Sequence, residues 1–110
     1  MLRQKLLNEI FISIDELITL YPEQEENLIE LKDCVNYDIY DKMDAKTSIY
    51  AIEDSMLDLF TAIDDECLDN RDTSDIEFAE AIENIKNLAC HIDSLINNYK
   101  QYLNTCYCLN

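Results

Sequence analysis

The stretch SDIEFAEAIENIKNLACHIDSLINNYKQYLN, residues 74–104, decides the fold. Phe78, Ala81, Ile85, Leu88, Ile92, Leu95, Ile96, Tyr99 and Leu103 recur at the spacing of one helix face, with no proline or glycine to interrupt them. Ser74-Asp-Ile-Glu77 at its start has capping-box spacing, which satisfies the unpaired amides of a first turn. A helix over 75–104 is roughly 45 Å long at 1.5 Å per residue. An apolar stripe of that length needs other helices to cover it.

Working outward, three more helices emerge. Residues 2–20 place Leu6, Leu7, Ile10, Ile14, Leu17, Ile18 and Tyr21 on one stripe. Phe11-Ile-Ser-Ile14 is rich in β-formers, but the helical pattern over the whole segment outweighs that short run. Pro22 suits the first turn of a second helix over about 22–36, because its missing amide has no partner there anyway. That helix turns Leu28, Leu31 and Val35 inward. A connection at 36–43 follows, carrying Tyr37 and Tyr40, and Asp41 or Asp44 caps a third helix over about 44–69. The third helix is expected to bury Ile49, Ile52, Met56, Phe60, Ile63 and Cys67. Amphipathic helices joined by short loops pack as neighbours, so the chain reads as all-α: one up-and-down bundle of about four helices, the C-terminal one longest, in a single domain over 1–110.

Composition removes whole classes of function. The chain has no glycine and one proline, hence no phosphate-cradling glycine loop, no dinucleotide fingerprint and no EF-hand turn. The residues at 64–75 also fail the calcium-loop pattern. Metal sites in bundles use Glu-x-x-His pairs, whereas the single histidine, His91, has Leu88 three residues before it. Cys106-Tyr-Cys108 has one intervening residue, too few for a zinc pair. The five cysteines are expected as reduced thiols, with Cys90 on the surface opposite the apolar stripe. Tyr99, Tyr102 and Tyr107 are expected to cover the end of the core. No nucleophile–base pair stands out, so neither an enzyme nor a cofactor is expected. The N-terminal residues lack the apolar core and cleavage site of a signal peptide, and no run is long enough to span a bilayer. A cytoplasmic protein is expected.

Charge is the most informative remaining feature. The net charge is −16, and the segment Glu23–Glu80 holds 19 acidic residues against Lys32, Lys42, Lys46 and Arg71. Residues 81–110 sum to zero. By helical geometry Asp54, Asp58, Asp65 and Asp69 lie within about 60° of one another, opposite the third helix's apolar stripe, at axial steps of about 6, 10 and 6 Å. Glu23, Glu26, Glu30 and Asp33 form a similar row on the second helix. Like charges at such spacing oppose helix formation by a few tenths of a kcal/mol each. A charged surface of one sign is also the footprint of a partner of the other sign. Together with Asp64 and Asp72, these ten residues are the candidate partner-binding set.

The overall style of the chain, small, acidic and all-helical with no catalytic set, resembles that of several inhibitor proteins. These include phage-encoded inhibitors of bacterial defence nucleases, among them anti-CRISPR proteins and nucleic-acid mimics, and immunity proteins that neutralise a basic toxin. The resemblance implies an inhibitor that docks on a basic protein, a nuclease or nucleic-acid-binding effector, and excludes nucleic acid from it. It implies no direct binding to nucleic acid or membrane. Two alternatives stand beside it: an immunity or antitoxin protein with one cognate toxin, and an adaptor that dimerises through its near-neutral first and fourth helices, its acidity serving solubility. Whether the second and third helices present their acids side by side depends on tertiary packing.

Overall fold

Each expected helix forms with its ends within a few residues of the reading above. The computed structural model describes residues 2–69 and 75–109. The helices are α1 (Leu2–Leu20), α2 (Glu25–Val35), α3 (Lys42–Asp69) and α4 (Ile76–Tyr107), with a 3-10 turn at Pro22–Gln24 and no strand among the described residues. The chain is an all-α four-helix bundle, and α4, of 32 residues, is the longest helix.

Local chemistry sets the helix ends. Asp41 accepts the Asp44 backbone amide at 2.9 Å, and the Asp44 carboxylate accepts the Tyr40 amide at 3.0 Å, so both candidate caps act at the start of α3. At the start of α4 the cap is Asp75, whose Oδ1 accepts from the amides of Glu77 at 3.0 Å and Phe78 at 3.3 Å. The expected partner Ser74, in the loop 70–74, lies outside the described residues. With no glycine in the chain, α4 ends through Cys108, whose φ of 53° lies in the left-handed region. The Cys108 and Leu109 amides both donate to the Asn104 carbonyl, and Leu109 folds back onto the core.

Packing runs round a ring in which α1 lies on α2 and α4, and α3 lies on α2 and α4. The neighbours are antiparallel. Arg3 near the start of α1 reaches Tyr99 late in α4, and Glu53 early in α3 pairs with Lys100. Cys34 at the end of α2 meets Ser48 and Ser55 in the first half of α3. The bundle measures 50 × 22 × 21 Å, its long axis set by α3 and α4. Leu7, Ile10, Ile14, Leu17, Leu28, Leu31, Val35, Ile52, Leu59, Ile92, Ile96 and Tyr99 form its core, each contributing about 1.5–3 kcal/mol if a large apolar side chain is fully buried.

Two apolar stripes are placed differently from the expectation. On α3, Ile49, Phe60 and Cys67 are only half-buried, while Ala45, Ser48, Ser55 and Leu59 are buried. The cause is that α3 is covered from two sides. Its small residues meet α2 closely, and its bulky ones spread onto the flank facing α4. On α4, Ala81 is exposed, and Ile82 and Ala89 are buried instead. Leu20 at the end of α1 lies beside Leu88, so no residue of α1 extends as far as Ala81.

Candidate partner-binding face

The α2–α3 contact decides the geometry of the acidic residues. Ser48 Oγ donates to the Cys34 carbonyl at 2.9 Å, and Cys34 Sγ lies 3.8 Å from Ser55 Oγ. These contacts fix which flank of each helix faces the other. At about 100° per residue, Glu26, Glu30 and Asp33 fall on the outer flank of α2 that leans toward α3. By the same geometry Asp54, Asp58, Asp65 and Asp69 fall on the outer flank of α3 that leans toward α2. The two rows therefore stand side by side along one face, and all seven residues are exposed.

Glu23 joins this face at the end where α1 turns into α2. The buried Tyr21 side chain sits there with its hydroxyl pKa raised above 10.0, first by burial and then by the negative fields of Glu66, Glu23, Cys67 and Asp65. Acids from the Pro22–Gln24 turn and from α3 thus act together on one phenol. Asp64 is exposed but sits on the other flank of α3, about 100° from Asp65 and toward α4. It does not belong with the rows. Asp72 lies outside the described residues.

The cations engaged in ion pairs lie elsewhere. Lys32 pairs with Asp15 at 2.8 Å on the α1 side, its ammonium over the Phe11 ring, and Lys100 pairs with Glu53 at 3.1 Å on the α4 side. Among the described residues no ion pair engages Glu26, Glu30, Asp33, Asp54, Asp58, Asp65 or Asp69.

Between the rows the surface dips. A recess of about 270 Å³ is bounded by Glu30 and Asp33 on α2, Tyr37 beyond it, and Thr47, Ser48 and Ala51 on α3, with Cys34 at its floor. Beside the acidic row on α3, Met43, Tyr50 and Leu57 stand 68%, 65% and 65% exposed. Their seven-residue spacing aligns them as an outer apolar ridge. Sequence reasoning passed over both features. The heptad spacing of the ridge was there to be read, but the recess depends on the α2–α3 contact.

Among the described residues no cluster of three or more His, Cys, Asp or Glu is placed to hold a metal ion. Cys90, Cys106 and Cys108 are exposed, Cys34 and Cys67 half-buried, and all five are unbridged. No helix among the described residues is long and apolar enough to cross a membrane. Comparison with protein-family models, with curated proteins and with solved structures returns no match.

Proposed function

We propose that this protein is a small inhibitor that docks through its α2–α3 face on a basic, nucleic-acid-handling protein and keeps nucleic acid out by charge and bulk. A nuclease or nucleic-acid-binding effector of the kind met in conflict between bacteria and phage fits this reading. The observation that carries it is the pair of carboxylate rows set side by side on one face, with the ion pairs placed elsewhere. Such a face stores unfavourable repulsion in the isolated protein. A partner's lysines and arginines would relieve it. The partner would exchange phosphates for carboxylates and show the steep salt dependence of nucleic-acid binding. No bond is made or broken in this mechanism.

The test is capture of partners on the immobilised protein at low salt, elution with a salt gradient, and challenge of each captured protein with DNA or RNA. A nuclease or effector that elutes with salt, is displaced by nucleic acid and loses activity in the complex supports the reading. Capture of one toxin whose active site is not a nucleic-acid channel would replace it with an immunity role. Recovery of the protein alone, as a dimer, would overturn it.

A further inference from the structure

We propose that the recess between α2 and α3 receives an arginine or lysine side chain from an amphipathic α-helix of the partner, so that the face reads shape as well as charge. The proposal rests on the reading of a basic protein partner and adds how that partner is gripped. The recess joins two chemistries that a long cationic side chain also joins. Cys34 and Ala51 offer a floor for an alkyl stem, while the Glu30 and Asp33 carboxylates stand at the rim. Tyr37, 42% exposed, presents a ring edge or face at the mouth, where a cation gains from the π-system. Arginine suits the rim better than lysine because its planar fork can serve two carboxylates at once.

Among the described residues, no ion pair engages this rim. Lys32, on the same helix as Glu30 and Asp33, turns away to Asp15. Lys46 lies with Ile49, Tyr50 and Asn104 on the α4 side of α3. Charge complementarity therefore selects a cationic occupant. A second copy would bring a net charge of −16 against the same sign, and nucleic acid is excluded for the same reason. The partner element is a helix because the floor is a valley between two antiparallel helices, into which the ridge of a third packs. The Met43–Tyr50–Leu57 ridge lies on the far side of the acidic row, toward α4, so the apolar side of an amphipathic helix meets it by spanning that row.

The experiment titrates isotope-labelled protein with a synthetic amphipathic peptide of about 14 residues, roughly 21 Å of helix, with leucines on one face and arginines on the other. Saturable amide shifts centred on 30–37 and 47–58 are expected, absent with a peptide carrying glutamate for arginine. Ala51→Leu fills the recess without changing charge and is expected to weaken binding about tenfold, the size of one well-buried contact. Tyr37→Ala changes a residue outside the helices and should weaken it severalfold. If Ala51→Leu and Tyr37→Ala bind as the parent does while salt and Glu30→Gln with Asp33→Asn abolish binding, docking is electrostatic only. That result overturns the recess and leaves the basic-partner reading intact. Shifts confined to α1 and α4, or concentration-dependent broadening at 30–37 in protein alone, would overturn the recess too. The partner reading falls separately, by the capture experiment.

Discussion

Ser48 Oγ donates to the carbonyl of Cys34 at 2.9 Å, and this one bond joins the last turn of α2 to the first half of α3. The Cys34 carbonyl belongs to the group of helix-end acceptors that no intrahelical amide satisfies. A buried hydroxyl from the neighbouring helix takes that place, and the contact sets the flanks along which the two carboxylate rows face outward together. Ser48→Ala leaves the carbonyl short of its partner and is expected to lower stability by about 1–2 kcal/mol, read as a drop in the thermal midpoint. An unchanged midpoint would mean that water replaces the hydroxyl without cost.

The ends of α4 predict effects of opposite sign. Asp75→Ala removes the acceptor for two amides and should cost about 1 kcal/mol. Cys108→Gly should instead stabilise by up to about 1 kcal/mol, because glycine enters the left-handed region without the crowding that a Cβ brings. Denaturant titration of the two variants beside the parent checks both, and a destabilised Cys108→Gly would show that the thiol itself holds the terminus.

How far the sequence reached is clearest on α3. Its ends, its helical state and the outward aim of Asp54, Asp58, Asp65 and Asp69 follow from periodicity, since an apolar stripe on one face forces its opposite to solvent. The full burial of Leu59 and Ser48 does not follow, because hydrophobic spacing marks one stripe while two neighbours cover a wider arc. Small polar residues enter the core only where helices approach closely, and that is a property of the pair. The same limit hid the adjacency of the rows and set Asp64 apart from Asp65. Local geometry fixes a residue's angle on its own helix; the angle between helices is set by their packing, in which the Cys34–Ser48 and Cys34–Ser55 contacts take part.

Tyr21 links the acidic face to alkaline pH. Burial raises its pKa above 10.0, and Glu66 and Glu23 add to the effect. Above about pH 10 the unfolded chain loses this proton while the folded chain keeps it, so the folded state binds more protons and stability falls as pH rises. The loss is complete once pH has passed the folded-state value. Tyr21→Phe should flatten the fall in stability above pH 10 and remove one late-ionising phenol from the tyrosinate absorbance titration. A second late phenol remains at Tyr102, raised first by its hydrogen bond with Cys106. A profile identical to the parent's would remove Tyr21 from this account.

Salt should stabilise the isolated protein. Nineteen acids face four bases between Glu23 and Glu80, and the two ion pairs among the described residues, which salt also screens, are partly exposed and each worth little. Repulsion therefore dominates the balance. The Debye length shrinks from about 30 Å at 0.01 M to about 3 Å at 1 M, so the thermal midpoint should rise over that range. A falling midpoint would show that attraction outweighs repulsion on this surface.

Reversing the row on α3 separates folding from binding. Asp54, Asp58 and Asp65 are exposed on the flank away from the core, so their replacement by lysine removes no buried contact. Three reversals also relieve like-charge crowding with Glu26 and Glu30. The triple variant Asp54→Lys, Asp58→Lys, Asp65→Lys should keep the parent's helical circular dichroism and melt no earlier. On the proposed function it should nonetheless lose inhibition of the captured partner altogether, since it presents cations to a cationic surface. Stability that holds while inhibition vanishes can arise only if these carboxylates act on something outside the chain. Inhibition that survives the reversal, in a protein that still folds, would remove this row from the docking face.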